Sequence, residues 1–296
     1  MPLHGYIIEK YNNMGNAYTC RRLAEEARRL QMDLRIVGIH DTVAAGNRLI
    51  NRGQVLEKCD FVINRYKWGK MKDAVNALAV RSYNPLEAFQ IYVNKYEQVS
   101  RLRSDDFLIP AWAMGTASLP YEELTAYLGS PFVAKGLESS MGEEIILIRE
   151  PGDYGRLKAE YGQAKEWLYE AFVRTSYGRD MRFYSIRGKV IACMVRESQG
   201  DFRANVALGA RVRPMEITAQ ISRIAEQIYD QTGLDFLGID LMFGDDKPYF
   251  CEINVMPGIE GIEKASGVNV AGEIMRTIRD DFERGEHEAH AGRLCL

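Results

Sequence analysis

The segment FLGIDLMFGDDKPYFCEIN, Phe236 to Asn254, carries carboxylates where a folding chain tolerates them only at a cost. Phe236 to Phe243 and Pro248 to Asn254 read as two strands joined by Gly244-Asp-Asp-Lys247, a β-hairpin. With the loop centred near Asp246, Asp240 stands across from Glu252, and Glu252 and Asn254 share a face by the two-residue period of a strand. The flanking Leu237, Ile239, Leu241, Phe250, Ile253 and Val255 are apolar. Opposed like charges cost a few tenths to about 1 kcal/mol, and more where water is excluded. A divalent cation removes that cost, and Asp, Glu and an Asn carbonyl are hard oxygen donors that suit Mg²⁺. A slip of one residue in the loop shifts the pairing, and an ordinary solvated hairpin face accounts for the same acids. The next segment, Met256-Pro-Gly258-Ile-Glu-Gly261, favours a ligand: it is a glycine-rich loop leading toward a helix, able to close over whatever the metal holds.

Composition narrows the ligand class. The 296 residues suggest about two domains. With 38 basic and 41 acidic side chains the formal charge is -3, so no basic excess exists to bind nucleic acid or an anionic membrane surface. Apolar runs such as Ile191 to Val195 fall well short of the roughly 18 residues of a membrane helix. The start, MPLHGYIIEK, has no basic-then-apolar export pattern, and a cytoplasmic location is expected. The five cysteines, at 20, 59, 193, 251 and 295, form no CxxC pair, so neither a disulfide framework nor a zinc ribbon is indicated. His4, His40, His287 and His290 lie outside the middle of the chain, which argues against a Ser–His or Cys–His hydrolase. His287 and His290 belong to a polar tail and read as a frayed end.

Periodicity gives the organisation. Strands at Gly5 to Glu9, Leu34 to Ile39 and Asp60 to Ile63 alternate with helices at Ala17 to Leu30 and Lys72 to Val80, with a turn at Asn51 to Gly53. That alternation implies a mostly parallel sheet with helices on its faces. Asn84-Pro-Leu-Glu87 has the pattern of a helix start, Asn84 at the cap. Beyond a boundary near 92–94 come a helix to about Arg103, a strand at Ala111 to Met114, a helix ending near Leu128, strands at Pro131 to Lys135 and Glu144 to Ile148, and a strand at Trp167 to Val173. A hairpin, Met181 to Ile186 with Lys189 to Glu197, a helix from Glu216 to Thr232, the carboxylate hairpin and a helix from Asn269 to Glu283 complete the chain.

Two further features bear on anion binding. Lys135 ends a strand before the loop Gly136-Leu-Glu-Ser-Ser-Met-Gly142, where small residues let amides approach an anion and Ser139 and Ser140 add donors. A plain hairpin turn explains the same loop, and neither GxxxxGK[ST] nor GxGxxG occurs. Asp180, Arg182, Arg196, Arg203 and Asn205 alternate with apolar and aromatic residues around Ser198 to Asp201, and arginine suits planar recognition of carboxylate or phosphate.

As an ordered set these segments resemble the ATP-grasp enzymes, specifically the RimK-like branch of carboxylate–amine ligases. The resemblance runs from about residue 1 to 284. It is carried by Gly178-Arg-Asp-Met-Arg182, Gly200-Asp-Phe-Arg-Ala-Asn205, Leu237-Gly-Ile-Asp240, Glu252-Ile-Asn-Val-Met-Pro-Gly-Ile-Glu-Gly-Ile-Glu-Lys264 and, more weakly, Tyr18-Thr-Cys-Arg-Arg-Leu23. It implies α/β and α+β architecture: an N-terminal α/β pre-ATP-grasp lobe (1–93), a central lobe (94–172) and a C-terminal lobe (173–285) clamping ATP, with a tail (286–296). It implies nucleotide-binding roles for Lys95, Lys135, Ser139, Ser140 and Asp180, for the hinge residues Glu170, Ala171 and Phe172, and for Asn205. It further implies catalytic roles for Arg203 and Arg182, and Asp240, Glu252 and Asn254 as ligands of two Mg²⁺, or Mn²⁺.

The expected reaction joins a carboxylate donor such as an amino acid to an amine acceptor, a small molecule or peptide end, through an acyl phosphate, in a chain that forms a homo-oligomer in some family members. A thiol acceptor, a kinase that stops at the phosphorylated acid and a nucleotide sensor without chemistry are the competing expectations. The phosphate loop has less glycine than the family's, and Val206 to Arg213 departs from the usual basic residue and paired glycines, so the glutamate preference of the named branch does not carry over. Arg211 and Arg213 read equally as a substrate-carboxylate site and as surface charge.

Overall fold

The computed structural model describes residues 2–139, 143–204 and 209–285. In the first lobe, strands β1 (His4–Glu9), β2 (Asp33–Gly38), β3 (Thr42–Ala45), β4 (Arg48–Asn51), β5 (Gln54–Val55), β6 (Cys59–Asn64) and β7 (Ala79–Tyr83) form two sheets. The larger is parallel, in the order β2-β1-β6-β7, and the smaller is the antiparallel β3-β4-β5. Strand β1 is apolar without alternation because both faces of its sheet are covered: Ile7 packs with helix α1 (Tyr18–Arg29), while Tyr6 and Ile8 face the core around Val37, Val62 and Val75. The helix expected over Lys72 to Val80 is shorter, α2 (Lys70–Asn76), and its supposed end is β7. Pairing with β6 claims Ala79 to Tyr83, a tertiary contact that overrides the local helical spacing.

Helices α3 (Leu86–Tyr92) and α4 (Lys95–Arg101) lead to the central lobe, which has β8 (Trp112–Thr116), α5 (Tyr121–Leu128), β9 (Phe132–Gly136), β10 (Ile145–Ile148), α6 (Pro151–Tyr161) and β11 (Glu166–Ala171). Its antiparallel sheet, order β10-β9-β11-β8, buries Phe132, Ala134, Trp167 and Tyr169 against α5 and α6. The alternate residues Val133, Lys135, Leu168 and Glu170 therefore face the other way, toward the last lobe.

That lobe is a five-stranded antiparallel sheet, β14-β13-β12-β15-β16, built from β12 (Arg179–Ile186), β13 (Lys189–Glu197), β14 (Arg211–Pro214), β15 (Phe236–Met242) and β16 (Tyr249–Asn254). One face packs on α7 (Ala219–Thr232), whose Ile221, Ile224, Ala225 and Ile228 meet Phe183, Leu237, Ile239 and Leu241. Helices α8 (Glu260–Ser266) and α9 (Val270–Arg284) then return to the first lobe. The α9 stripe Val270, Ala271, Ile274, Met275 and Ile278 buries Cys20, Leu23 and Ala27 of α1, so the end of the chain covers its beginning.

Asn84 does not cap α3; Pro85 occupies that position. The Asn84 amide instead clasps the last lobe, donating to Phe236 O at 2.8 Å and Val255 O at 3.0 Å and accepting from Phe236 N at 2.7 Å. Its side chain satisfies backbone groups that β15 and β16 leave buried. Asn84→Ala strands three of them, and a loss of about 2–4 kcal/mol is expected in urea unfolding; an unchanged midpoint would show that water replaces the amide without cost.

Candidate active site

The register of the carboxylate hairpin is the one expected, with Asp240 paired to Glu252 and Gly238 to Asn254. Beyond that pair it shifts, and Leu241 faces Phe250, which makes Cys251 an extra, bulged residue. The bulge aims the Cys251 carbonyl at Lys135 Nζ, 3.3 Å away in the facing sheet. Gly238 has no side chain for a reason: a Cβ there would lie 3.0 Å from Pro257, so glycine lets the Met256-Pro-Gly258 loop fold over the strand.

Register carries the row across the sheet. Arg182 faces Asp240, and Asp180 faces Arg196, all on the side away from α7. Arg182 Nε and Nη2 donate to the two Asp240 oxygens at 2.6 and 2.5 Å, and Arg196 Nη2 adds a bond to Oδ2 at 2.8 Å. Arg196 also holds Asp180 through two bonds of 2.6 Å. Asp240 is 1% exposed. Burial works to raise its pKa, but Arg182 and Arg196 outweigh that and hold the carboxyl below its ordinary range. Asp180, buried beside the Asp240 charge, is pushed up against the pull of Arg196.

The facing lobe supplies lysines. Lys135 and Glu170 form a buried ion pair at 2.6 Å. Burial disfavours the ammonium, yet Glu170 beside it raises the Lys135 pKa above normal. Lys95, at the start of α4, donates to Ser139 O at 2.6 Å and lies 3.7 Å from Glu252. Its backbone N–H binds Leu137 O at 2.8 Å, which anchors the loop after β9 to the helix start. Ser139 turns back on Gly136 O at 3.0 Å.

The structure thus gathers Lys95, Lys135, Ser139, Glu170, Asp180, Arg182, Asp240, Glu252 and Asn254 between the two sheets. Ala171 lies on the opposite face from Glu170, and its N–H is taken by Ala111 O at 2.8 Å. Phe172 follows the strand and packs edge-on against Tyr177 and Phe202. Arg203 pairs with Asp201 at 2.8 Å and lines a cleft of about 610 Å³ with Ile145, Leu147 and Tyr177. Lys95, Lys135 and Asp240 do not line that cleft. Ser140 and Asn205 lie outside the described residues, as do His287 and His290. Arg211 and Arg213 are placed on the opposite face from Asp240: Val212 pairs with Arg196, so its neighbours point away, and Arg213 reaches Glu197 at 3.4 Å.

The donor set fits a hard cation. Among the described residues no group of three His, Cys, Asp or Glu side chains could hold a metal alone. Two carboxylates and an Asn oxygen on adjacent strands would leave the rest of an Mg²⁺ shell to phosphate and water. Of about four lone-pair sites on Asp240, the arginines occupy three. Cysteine chemistry is not available among the described thiols, because burial pushes Cys20, Cys59, Cys193 and Cys251 up to about 12.

The family description "RimK-like ATP-grasp domain" matches residues 113–278, more than half of the chain. The chain belongs to the RimK-like ATP-grasp family. Relatives include proteins named "Probable alpha-L-glutamate ligase" from Thioalkalivibrio sulfidiphilus and Halorhodospira halophila, each 29% identical. The alignments cover 89% and 91% of this chain and 92% and 93% of those proteins. Among solved structures, D-alanine–D-alanine ligase from Bacillus anthracis superposes with a TM-score of 0.70 over 98% of this chain and all of its own, at 15% identity. The ATP-grasp ligase PsnB, complexed with a minimal precursor, gives 0.69 over 94% of this chain and 99% of its own, also at 15% identity. These likenesses show the ATP-grasp fold. As a RimK-like ATP-grasp protein the chain is a carbon–nitrogen ligase, and ATP with Mg²⁺ is the general requirement of such ligases. Among the described residues no helix is long and apolar enough to cross a membrane.

Two residues near the site belong to no motif of the sequence. Lys67 follows β6 and donates to Glu138 O, and Arg65 donates to Pro257 O at 3.2 Å. Both lie just beyond the carboxyl end of a parallel strand, where open α/β sheets place ligand-binding groups; that rule, applied to INRYKW, was the available signal.

Proposed function

We propose that this ligase phosphorylates a carboxylate with ATP and passes the acyl group to an amine, releasing ADP and phosphate. The observation that carries the reading is the meeting of the Asp240–Glu252–Asn254 edge with Lys95 and Lys135 from the facing sheet. A carboxylate oxygen attacks the γ-phosphorus and ADP leaves; the amine then attacks the acyl carbon and phosphate leaves. Carboxylate and triphosphate are both anionic, so the step needs fixed positive charge. Lys95 and Lys135 provide it at the phosphates, while Arg182 and Arg203 steady the tetrahedral oxyanion or the departing phosphate. Asp240, Glu252 and Asn254 would hold two Mg²⁺, or Mn²⁺, which supply charge neutralisation and in-line orientation of the phosphoryl group. The relatives' names support an amino acid such as glutamate as one substrate, with a peptide, protein or small-molecule amine as the other.

The test measures ADP and phosphate release from Mg-ATP with amino acids and amine acceptors, with mass spectrometry of the products. The expected result is one ADP and one phosphate per new amide, and a hydroxamate when hydroxylamine replaces the acceptor. AMP and pyrophosphate would refute the acyl-phosphate route, and nucleotide binding without turnover would favour a sensor.

A further inference from the structure

A row of rings crosses the carboxyl ends of β1, β2 and β6, and nothing in the reaction above uses it. Tyr11, His40, Tyr66 and Trp68 follow one another with centroids 5.0, 5.7 and 5.6 Å apart. The outer rings are open, Tyr11 39% exposed and Trp68 51%. An ammonium sits over each end, Lys10 at 5.5 Å from the Tyr11 centroid and Lys67 at 4.5 Å from that of Trp68. The neighbouring acids are engaged: Asp41 accepts from Asn12 N at 2.6 Å, Glu9 is buried against Arg65 at 2.8 Å, and Glu138 accepts from the Trp68 indole at 3.2 Å. The row thus presents aromatic faces between two terminal ammonium groups, with the Asp41 and Glu138 carboxylates beside it.

Its position is as informative as its composition. Strand order reverses at β1, and open α/β sheets take ligands outside the carboxyl ends of their strands at such a point. The inner end touches the phosphate loop, since Lys67 Nζ donates to Glu138 O. Burial, and Lys95 nearby, hold Lys67 below its ordinary pKa, against the opposite pull of Glu138, Glu252 and Glu144.

We infer that this row is the acceptor track: an extended peptide lies along it, ring or apolar side chains on the four rings, carboxylates on Lys10 and Lys67, and its amine toward Glu252. The length suits about five residues of extended chain. Stacking against exposed rings and charge pairing at both ends are the two chemistries that would select such a peptide over a small amine. The inference rests on the ligase reading above.

The test uses the full chain with a five-residue peptide alternating Glu and Phe, and its Gln–Phe counterpart. Two readouts are taken: tryptophan fluorescence on peptide titration, and kcat/KM with peptide against kcat/KM for hydroxylamine trapping of the same donor. We expect the Gln–Phe peptide to bind at least tenfold more weakly. In Tyr11→Ala and Trp68→Ala the peptide-to-hydroxylamine ratio is expected to fall at least tenfold, through KM, and Tyr11→Ala weakens the fluorescence titration by a similar factor. Hydroxamate formation at wild-type rates with an unchanged ratio in both variants would overturn the track and leave the ligase standing. So would a wild-type enzyme that traps hydroxylamine yet neither binds nor uses the peptide. Absence of hydroxamate from every donor would instead refute the ligase reading, and the fluorescence titration would still judge the track.

Discussion

Glu252→Gln is expected to slow ADP release by about 10³-fold or more, roughly 4 kcal/mol of transition-state stabilisation. The substitution keeps the shape of the side chain and removes its charge. Glu252 is the carboxylate of the proposed pair that faces solvent, at 26% side-chain exposure, whereas Asp240 is held by two arginines. The variant therefore folds, and its defect lies in the phosphoryl step, where negative charge on the triphosphate and the attacking carboxylate must be offset together. Lys95, 3.7 Å from Glu252, also loses its anionic neighbour and is left to the nucleotide. ATP binding without Mg²⁺ is accordingly expected to be retained, while the strengthening of binding by Mg²⁺ is lost. Calorimetric titration with and without Mg²⁺, alongside ADP release, separates the two effects. A turnover number within tenfold of the unsubstituted enzyme would remove Glu252 from the metal-bearing set.

Asp281→Ala is expected to cost about 3–5 kcal/mol of stability without touching the site. Asp281 lies in α9 and is fully buried with Asp235. It accepts from Tyr83 OH at 2.5 Å, from Arg187 Nη1 at 2.7 Å and from Arg187 Nη2, with Arg81 Nη1 at 3.1 Å. Asp235 takes Arg81 at 2.9 Å and Arg187 at 2.8 Å, so two guanidinium groups and two carboxylates neutralise each other where the first and last lobes meet. Removing one carboxylate leaves two buried cations sharing the other. The lost stability appears as a lowered unfolding temperature in calorimetry.

The same cluster sets an acid limit. Burial raises the Asp281 pKa, but Arg187, Tyr83 and Arg81 together hold it below normal. A carboxyl whose folded pKa lies below the unfolded value of about 3.9 contributes stability above that pH and loses it as pH falls through the folded value. The acid arm of the stability–pH profile is therefore expected to flatten in Asp281→Ala. An unchanged profile and unfolding temperature would show that the arginines find other partners.

The parts legible from sequence are those whose geometry is local. Strand period and a short loop put Asp240 and Glu252 on facing strands, but the register set at the loop, Leu241 with Phe250, would place Cys251 opposite Asp240, and the bulge at Cys251 is what brings Glu252 there. Glycine at 233 ends α7 in the left-handed conformation, and Asn269 caps α9, as their residue types allow. The α/β alternation of the first 64 residues is likewise a matter of period, although farther on the first two residues of β7, Ala79 and Val80, fell under a helical pattern.

What the sequence by itself determined, then, is the hairpin, with carboxylates on both of its strands, and the alternating elements around it, since hydrogen bonding and side-chain period act over a few residues. Tertiary structure decided which distant groups share a charge or a backbone bond. Tyr18 and Arg22 of α1 meet Glu263 at 2.9 and 3.2 Å, and Thr19 receives the N–H of Ile259 at 3.2 Å, so segments some 240 residues apart form one contact. Asn84 became a clasp rather than a cap, and Arg187 found Asp281 across 94 residues of chain. The physical reason is desolvation: a polar group placed out of water must take whatever partner the packing brings, and no local pattern names that partner.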